Sequence, residues 1–220
     1  MKSFSRLLCG IALWLLVSWA HAGAYEDFFK AFEFDNAQEI QRLLSRGMDP
    51  NTPNENGVPA LAVATRLGAA KSAMLLAQHP KTQVNVVNSV DETPLMLAAL
   101  NNQLDVAQVL IDRGAEVNRK GWTPLHYAAT KGHTAMMRLL LDNNAYIDAE
   151  SPNGTTPLMM AAYYGTPLSV KLLLEEGADP TPRNQLHVNA LDLALKAERA
   201  QSAFYIRAFT VAWEIRELGQ

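Results

Sequence analysis

The residues of this chain that could carry out catalytic chemistry are few and scattered. It contains five histidines and one cysteine in 220 residues, and no Cys/His group has the spacing of zinc ligands. Asp192 and Glu198 are close in sequence, but they occupy positions that hold a histidine and a turn glycine elsewhere in the chain, so we expect no working acid–base pair. The sequence shows no phosphate-binding glycine loop, nucleophile elbow or metal-binding helix motif. It therefore predicts no catalytic residues, no bound metal and no cofactor.

The composition is that of a folded, acidic protein. Hydrophobic residues make up 49% of the chain and charged residues 19%, which provides enough apolar material for a core. The formal net charge is −3, whereas proteins that bind nucleic-acid phosphates need a surplus of Lys and Arg. We therefore expect no nucleic-acid partner.

The first 22 residues are predicted to be a cleavable secretory signal. Lys2 and Arg6 precede the uncharged, mostly apolar stretch 7–19, and a small-x-small tripeptide ends at Ala22. This stretch rises only about 20 Å as a helix, against a bilayer core of about 30 Å, so a retained membrane anchor is the weaker interpretation. Cleavage after Ala22 leaves residues 23–220 without cysteine, which suits an oxidising compartment. We therefore expect export, with the bacterial periplasm favoured over a eukaryotic secretory route.

A Thr-Pro-Leu motif recurs along the rest of the chain. Full copies of Thr-Pro-Leu-x-x-Ala-Ala occupy 93–99, 123–129 and 156–162, and weaker copies occupy 59–64 and 189–194. The copies are 30 to 34 residues apart, and a leucine-rich run that ends in a turn follows four of them. A nearly fixed period of this length is typical of repeat proteins.

The recurring residues predict where each helix begins and ends. Proline is tolerated in the first turn of a helix, and the threonine before it can accept a hydrogen bond from an exposed backbone N–H. Alanine pairs let neighbouring helices approach closely, while leucines on one face of the second helix need a further unit to cover them. Gly114 and Gly177 supply the left-handed residue that ends the second helix, and Asn143 and Asn144 are the next best residues for that conformation.

This pattern resembles the ankyrin repeat, whose consensus is Gly-x-Thr-Pro-Leu-His-x-Ala-Ala, a Gly-His turn, a Leu-Leu helix and Gly-Ala-Asp-x-Asn. The best copy is 121–133, and the resemblance covers about 25–218. It implies an all-α fold, an ankyrin-repeat solenoid of stacked helix-turn-helix units joined by short β-hairpin loops. Residues 23–220 would form a single domain with an N-terminal cap (25–56), four central repeats (57–90, 91–120, 121–153 and 154–186) and a C-terminal cap (187–220).

Two loops depart from the family pattern. The loop 115–123 is three residues shorter than its counterpart in the next repeat, which predicts a stub. The turn at 78–83 has one extra residue, which predicts a protruding loop.

The final unit ends in a long predicted helix, Ala200–Leu218. It carries two apolar stripes, one formed by Phe204, Ala208, Val211, Ile215 and Leu218 and the other by Ile206, Phe209 and Trp213. We expect both stripes to pack on the preceding repeat. The alternative is that Trp213 and Tyr205 form a second contact surface or a homodimer seam.

Ankyrin proteins typically bind other proteins through a concave side, which is made of hairpin tips and the exposed residues of each first helix. The resemblance therefore implies these binding residues: Trp122, Lys131, Tyr163, Tyr164, Arg66, Leu67, Leu100 and Asn101. We expect the first four to converge, because aromatic residues with a cation are typical of hot spots. The alternative is that Trp122 folds onto the shortened loop and one tyrosine packs sideways. His126 and His133 occupy consensus positions that brace the hairpin and the interhelical turn, and His79 and His187 lie in loops.

The sequence thus predicts a non-catalytic scaffold that binds a protein partner through its concave surface. Resemblance to exported bacterial ankyrin proteins implies either protection against oxidative stress alongside a catalase or neutralisation of a toxic effector as an immunity protein, and the sequence does not choose between them. The alternative is an enzyme or a small-ligand-binding protein with a site in the groove. A monomer is favoured over a homodimer, and the identity of the partner stays open.

Overall fold

The computed structural model describes residues 23–218 of the protein, except for the side chains at 213, 214 and 216–218. The predicted signal, residues 1–22, lies outside the described residues. The helices of the described part are α1 (23–33), α2 (Ala37–Ser45), α3 (Ala60–Leu67), α4 (Ala70–Gln78), α5 (Pro94–Leu100), α6 (Leu104–Asp112), α7 (Pro124–Lys131), α8 (Thr134–Asp142), α9 (Pro157–Tyr163), α10 (Pro167–Glu175), α11 (Ala190–Lys196) and α12 (Ala200–Leu218).

These helices form two layers. The odd-numbered helices from α3 to α11 each pack on the next odd-numbered helix, and the even-numbered helices from α2 to α12 do the same in the second layer. The two helices of a unit also pack together, as α5 does on α6 and α7 on α8. This arrangement confirms the predicted all-α solenoid of stacked helix-turn-helix units.

The loops between units are tight turns with little strand character. Within residues 23–218, one isolated antiparallel bridge joins Pro53 and Pro59. Three other loops are each closed by a backbone N–H donating to a carbonyl across the turn: Asn88 to Glu92, Ser151 to Thr155 and Asn184 to Val188. The hairpins of the family are therefore reduced here to their turns.

Helices α5 and α9 begin as the Thr-Pro motif predicts. Thr93 Oγ1 accepts a hydrogen bond from the Met96 N–H at 3.2 Å, and Thr156 Oγ1 accepts one from the Met159 N–H at 3.3 Å. Each threonine thereby satisfies one of the backbone donors that the first turn of a helix leaves without a partner. The start of both helices is thus fixed by local sequence.

Two turns show why small or flexible residues are needed between helices. Asn144 has a φ of +63° after α8, which confirms that asparagine takes the left-handed conformation where other units have glycine. Gly165 is required for a different reason, since a Cβ there would lie 2.5 Å from the carbonyl oxygen of Ala129. The backbones of adjacent units therefore approach more closely than a side chain at position 165 would permit.

A column of leucines forms the core of the second layer. The seventh residue of five successive even-numbered helices is a leucine that is almost completely buried: Leu43, Leu76, Leu110, Leu140 and Leu173. Met96 and Met159 are also buried. Burial of one such side chain contributes about 1.5–3 kcal/mol relative to exposure. Because each unit supplies only part of this column, the stability of a unit depends on its neighbours.

The loop 78–83 is exposed at Gln78, Pro80, Lys81 and Gln83, and it is anchored to the next unit. The guanidinium group of Arg113, just after α6 in the next unit, donates to four backbone carbonyls between Ala77 and Thr82 at 2.5 to 3.3 Å. Thr82 is buried. The extra residue is accommodated because an arginine from a different unit closes over it.

Helix α12 has the predicted bounds, but only part of its apolar surface is covered. Ile206 is completely buried and Phe209 is half-buried. Phe204, Val211 and Ile215 expose 66%, 57% and 67% of their surfaces. The expectation that both stripes pack is therefore wrong for the Phe204 stripe. Helix α12 packs on α10 and α11, and the face that carries Phe204 stays exposed. The side chain of Trp213 lies outside the described residues, so the alternative surface stays a prediction.

Candidate functional site

The odd-numbered helices and the loops before them present one surface, which we call the first-helix face. Because α3, α5, α7 and α9 pack side by side, equivalent residues form two rows along this face. Glu92 and Trp122 belong to the row at the helix starts, and the row at the helix ends contains Arg66, Leu67, Leu100, Asn101, Lys131, Tyr163 and Tyr164. Trp122 and Lys131 stand at opposite ends of α7, about 13 Å apart along the helix axis. The four residues expected to converge therefore do not form one compact cluster.

A partly exposed carboxylate connects three units across this face. The side chain of Glu92, 14% exposed, forms an ion pair with Arg66 and accepts hydrogen bonds from Tyr127 Oη at 3.1 Å and Asn88 Nδ2 at 2.7 Å. Burial raises the pKa of Tyr127 well above its ordinary value, and the charge of Glu92 raises it further. Arg66 is thus partly committed to an internal contact. Sequence reasoning missed this network, because Arg66 and Tyr127 are 26 and 35 residues away from Glu92.

Trp122 is half-buried against its own unit. Its ring meets the ring of His126 nearly edge-on, with the centroids 5.2 Å apart and an interplanar angle of 76°. The short loop that carries it is tied to the preceding loop by an ion pair between Arg119 and Asp91. The ring packs on His126 of α7, so the alternative in which Trp122 folds onto the shortened loop stays a prediction.

His126 is a structural residue at the start of α7. Its Nδ1 accepts a hydrogen bond from the Thr123 N–H at 3.2 Å, and its Nε2 donates to the Thr155 carbonyl at 2.9 Å, which places the proton on Nε2. Burial lowers the pKa of His126 to about 4, while the carbonyls of Thr155 and Ala149 act in the opposite direction. The ring is therefore neutral and held on both nitrogens. This confirms its predicted role in bracing the next loop.

Tyr163 and Tyr164 form an aromatic pair at the end of α9. Their ring centroids are 4.6 Å apart with an interplanar angle of 71°, and Tyr164 is 55% exposed, whereas Tyr163 is half-buried. Lys131 is exposed at the end of the neighbouring helix α7. The aromatic pair offers a large apolar area and polar hydroxyls to an incoming protein, and Lys131 adds a cation at the end of the adjacent helix.

Three side chains near the interhelical turns hold adjacent units together. Each donates to a carbonyl at or near the end of the first helix in the preceding unit: Asn101 to Thr65 at 2.7 Å, His133 to Leu100 at 3.2 Å and Arg199 to Tyr164 at 3.1 Å. Asn101 therefore has a structural role besides the predicted contact with a partner. Arg199 was missed, although it stands at the position that His133 occupies in its own repeat.

An open groove of about 420 Å³ lies at the N-terminal end of the first-helix face, and sequence reasoning did not predict it. It is lined by α1 (Tyr25, Glu26, Phe29, Lys30 and Glu33), the loop Asn54, Glu55 and Asn56, and α3 (Val63 and Leu67). We call it the α1–α3 groove. Leu67 is the one lining residue that was predicted to bind. The spacing of Tyr25, Phe29 and Glu33 at every fourth position is the signal that could have found it.

The two carboxylates weighed for catalysis stand in different settings. Asp192 Oδ2 accepts a hydrogen bond from the Asn189 N–H at 3.1 Å and pairs with Arg183 at 3.0 Å, whereas Glu198 occupies a turn with a φ of +56°. In the part of the chain that the structure describes, no group of three or more His, Cys, Asp or Glu side chains is placed to hold a metal ion. None of the helices in residues 23–218 combines the length and apolar character needed to cross a bilayer.

Comparisons with known sequences agree with this architecture. The family model described as ankyrin repeats (3 copies) matches residues 28–120 and 117–184. Ankyrin repeat and SAM domain-containing protein 6 of Rattus norvegicus is 32% identical over 111 residues, which is 49% of this chain and 12% of that protein. The chain spans only 12 to 16% of the length of this and two further curated relatives.

Two solved structures share the fold. The first is a chain in the complex of a predatory endopeptidase from Bdellovibrio bacteriovorus with an immunity protein, with a TM-score of 0.71, 27% identity and coverage of 83% of this chain and 97% of that chain. The second is an ankyrin repeat domain from Acinetobacter baumannii AYE, with a TM-score of 0.69, 25% identity and coverage of 83% and 96%. Nearly the whole of each of these chains therefore corresponds to the stacked units described above.

Proposed function

Because the chain belongs to the ankyrin-repeat family, we propose that it is a non-catalytic module that binds a protein partner through its first-helix face. Ankyrin repeats are in general interaction modules. The observation that carries the proposal is the Tyr163–Tyr164 pair, which is partly exposed at the end of α9, beside the helix that ends in Lys131. Hot spots of protein interfaces are rich in such aromatic residues, and truncating one commonly costs about 2 kcal/mol or more.

The two rows of this face suggest how a partner engages. Trp122 supplies a half-buried ring at the helix starts, and the Tyr163–Tyr164 pair with Lys131 supplies the anchor at the helix ends. A partner that contacts both must cover the intervening length of α7, about 13 Å. The module would thus bind a surface or a loop of a folded protein.

We place this module outside the cytoplasm, most simply in a bacterial periplasm, after cleavage behind Ala22. Among the two settings implied by the sequence, neutralisation of an effector as an immunity or inhibitor protein is favoured by the structural relative found in a complex of an endopeptidase with an immunity protein. N-terminal sequencing of the exported protein tests the location, and Gly23 should be the first residue. An intact Met1 on the exported chain would contradict it.

The test of the interface is a triple variant, W122S/Y163S/Y164S. Crosslinked capture in the native compartment should recover a discrete polypeptide with the wild type and lose it with this variant, while the helical circular dichroism stays the same. The matched control is L168S/F204S/V211S, which removes three exposed apolar residues from the second layer. Unchanged capture by the first variant would place the interface elsewhere.

Two further measurements separate this proposal from its alternatives. Turnover of any member of a substrate panel by the purified chain would favour an enzyme with a site in the groove. Sedimentation should give the mass of a monomer, and a mass that doubles with concentration would instead point to a homodimer.

A further inference from the structure

The floor of the α1–α3 groove is apolar and is supported by packed aromatic side chains. Phe29 and Val63 are half-buried in it, and Leu67 stands at its edge with 54% of its surface exposed. The ring of Phe29 packs against those of Tyr25, Phe28 and Phe32, with centroid distances of 5.0, 5.5 and 5.7 Å. An aromatic cluster of this kind contributes to stability and fixes the shape of the floor before any ligand binds.

The loop at the rim of the groove is also held in place. Asn54 Oδ1 accepts hydrogen bonds from the N–H groups of Asn56 at 3.0 Å and Val58 at 2.9 Å. Tyr25 Oη donates to the Pro53 carbonyl at 3.2 Å, which ties the loop to α1. Glu55 is therefore carried on a preorganised turn, and binding at this rim need not order a flexible segment.

The charges around the groove are unbalanced. Glu26, Glu33 and Glu55 are exposed along its lining, and Lys30 is the one cation among the lining residues. None of the ion pairs formed among residues 23–218 includes these three glutamates. Elsewhere on the first-helix face the carboxylates of Asp91 and Glu92 are paired with arginines. The groove is thus a negatively charged rim around an apolar floor.

We propose that the α1–α3 groove receives a basic, apolar-anchored segment of the protein partner, in which a Lys or Arg stands next to a Leu, Ile, Met or Phe. The inference rests on the proposed function, because it assigns a chemistry to one end of the same binding face. The apolar side chain would cover Phe29, Val63 and Leu67, and the basic side chain would lie among the three carboxylates. Complementary charge of this kind favours the correct partner and speeds its approach.

Other occupants fit these observations less well. An acidic segment would bring like charges together, and a wholly apolar one would remove water from the carboxylates without compensating them. A second copy of the chain that presents the same groove would bring three glutamates against three. Leu67 also belongs to the row of helix-end residues, so a segment that leaves the groove at this edge continues along the first-helix face.

The test uses a random peptide library displayed on phage and selected on three forms of the chain. These are the wild type, the groove variant E26Q/E33Q/E55Q and the control E116Q/E150Q/E175Q, which makes the same charge change at exposed positions outside the groove. Peptides enriched on the wild type and on the control should carry Lys or Arg beside a large apolar residue. The groove variant should not enrich them.

Affinity measurements on the most enriched peptide make the outcome quantitative. Fluorescence anisotropy should show Kd rising at least about tenfold in E26Q/E33Q/E55Q and in L67S, and rising with salt in the wild type. Equal Kd values for wild type and groove variant, enriched peptides without basic residues, or no enrichment at all would each overturn the inference. Sedimentation that shows self-association lost in the groove variant would assign the groove to a second copy and also overturn it.

Failure of this inference is distinguishable from failure of the proposed function. Loss of partner capture in W122S/Y163S/Y164S, together with no basic preference in the library, leaves the proposed function standing and removes only the groove assignment. A basic preference in the library with unchanged capture by that triple variant removes the assigned central interface instead.

Discussion

Acid should weaken this fold through one buried histidine, His126. The neutral ring accepts a hydrogen bond from the Thr123 N–H and donates to the Thr155 carbonyl. A proton added at Nδ1 would face the Thr123 N–H, and the charge would be buried in a site that holds the pKa at about 4. Folding therefore opposes protonation of His126.

The size of the effect follows from the two pKa values. The ordinary value is 6.5 and the value in the fold is about 4, so between these pH values the unfolded chain binds more protons than the folded one. The free energy of unfolding therefore falls as pH falls from 6.5 towards 4 and changes no further below that range on account of this group. A difference of about 2.5 units at about 1.4 kcal/mol per unit gives a full loss of about 3.5 kcal/mol.

The assay compares urea unfolding of the wild type and of H126Q, followed by circular dichroism, between about pH 7 and about pH 4.5. Glutamine can accept from the N-cap N–H at this helix position and does not titrate. The stability advantage of the wild type should therefore shrink by about 2 kcal/mol over that range. H187N is the control. It removes an imidazole from an exposed turn and so shows the effect of losing a histidine that is not buried. Parallel pH curves for wild type and H126Q would refute the reasoning.

Three further predictions test the packing of the stack. L140A should lower the free energy of unfolding by about 2 to 5 kcal/mol, because Leu140 is completely buried between units, and a change below about 1 kcal/mol in urea unfolding would contradict the register. R113A should speed amide hydrogen exchange at Thr82, since it leaves four carbonyls without their donor; unchanged exchange would argue against the closure, and R113K should not restore protection. Y127F should remove a tyrosine that ionises above its ordinary pKa in an ultraviolet titration and should destabilise the chain by about 1 to 3 kcal/mol; an unchanged titration curve would place Tyr127 outside the Glu92 network.

The helices were predictable because their signals are local. A threonine followed by proline caps and starts a helix through contacts within four residues, and the observed bonds of Thr93 and Thr156 follow from that spacing alone. The bounds of α12 were also predicted from the sequence. Periodicity then fixed the stacking, because identical leucine faces can be covered only by another unit.

The candidate site was predictable in part. Repeat register identified which residues stand at the helix ends, and the exposed Tyr164 and Lys131 are among them. It did not show that Arg66 pairs with a glutamate 26 residues further along the chain. This contact depends on how adjacent units are rotated and spaced, which a motif repeated in every unit does not encode.

The sequence by itself determined the kind of element, its limits and the need for stacked neighbours, since these arise from backbone capping and from apolar faces within one repeat. The tertiary structure alone decided which side chains cross between repeats. Arg113 closes over a loop of another unit, and the α1–α3 groove forms from a helix, a loop and a second helix whose residues lie up to 42 positions apart. The separation of two residues in the sequence does not predict such contacts, because the packing of the repeats determines which side chains come within reach of each other.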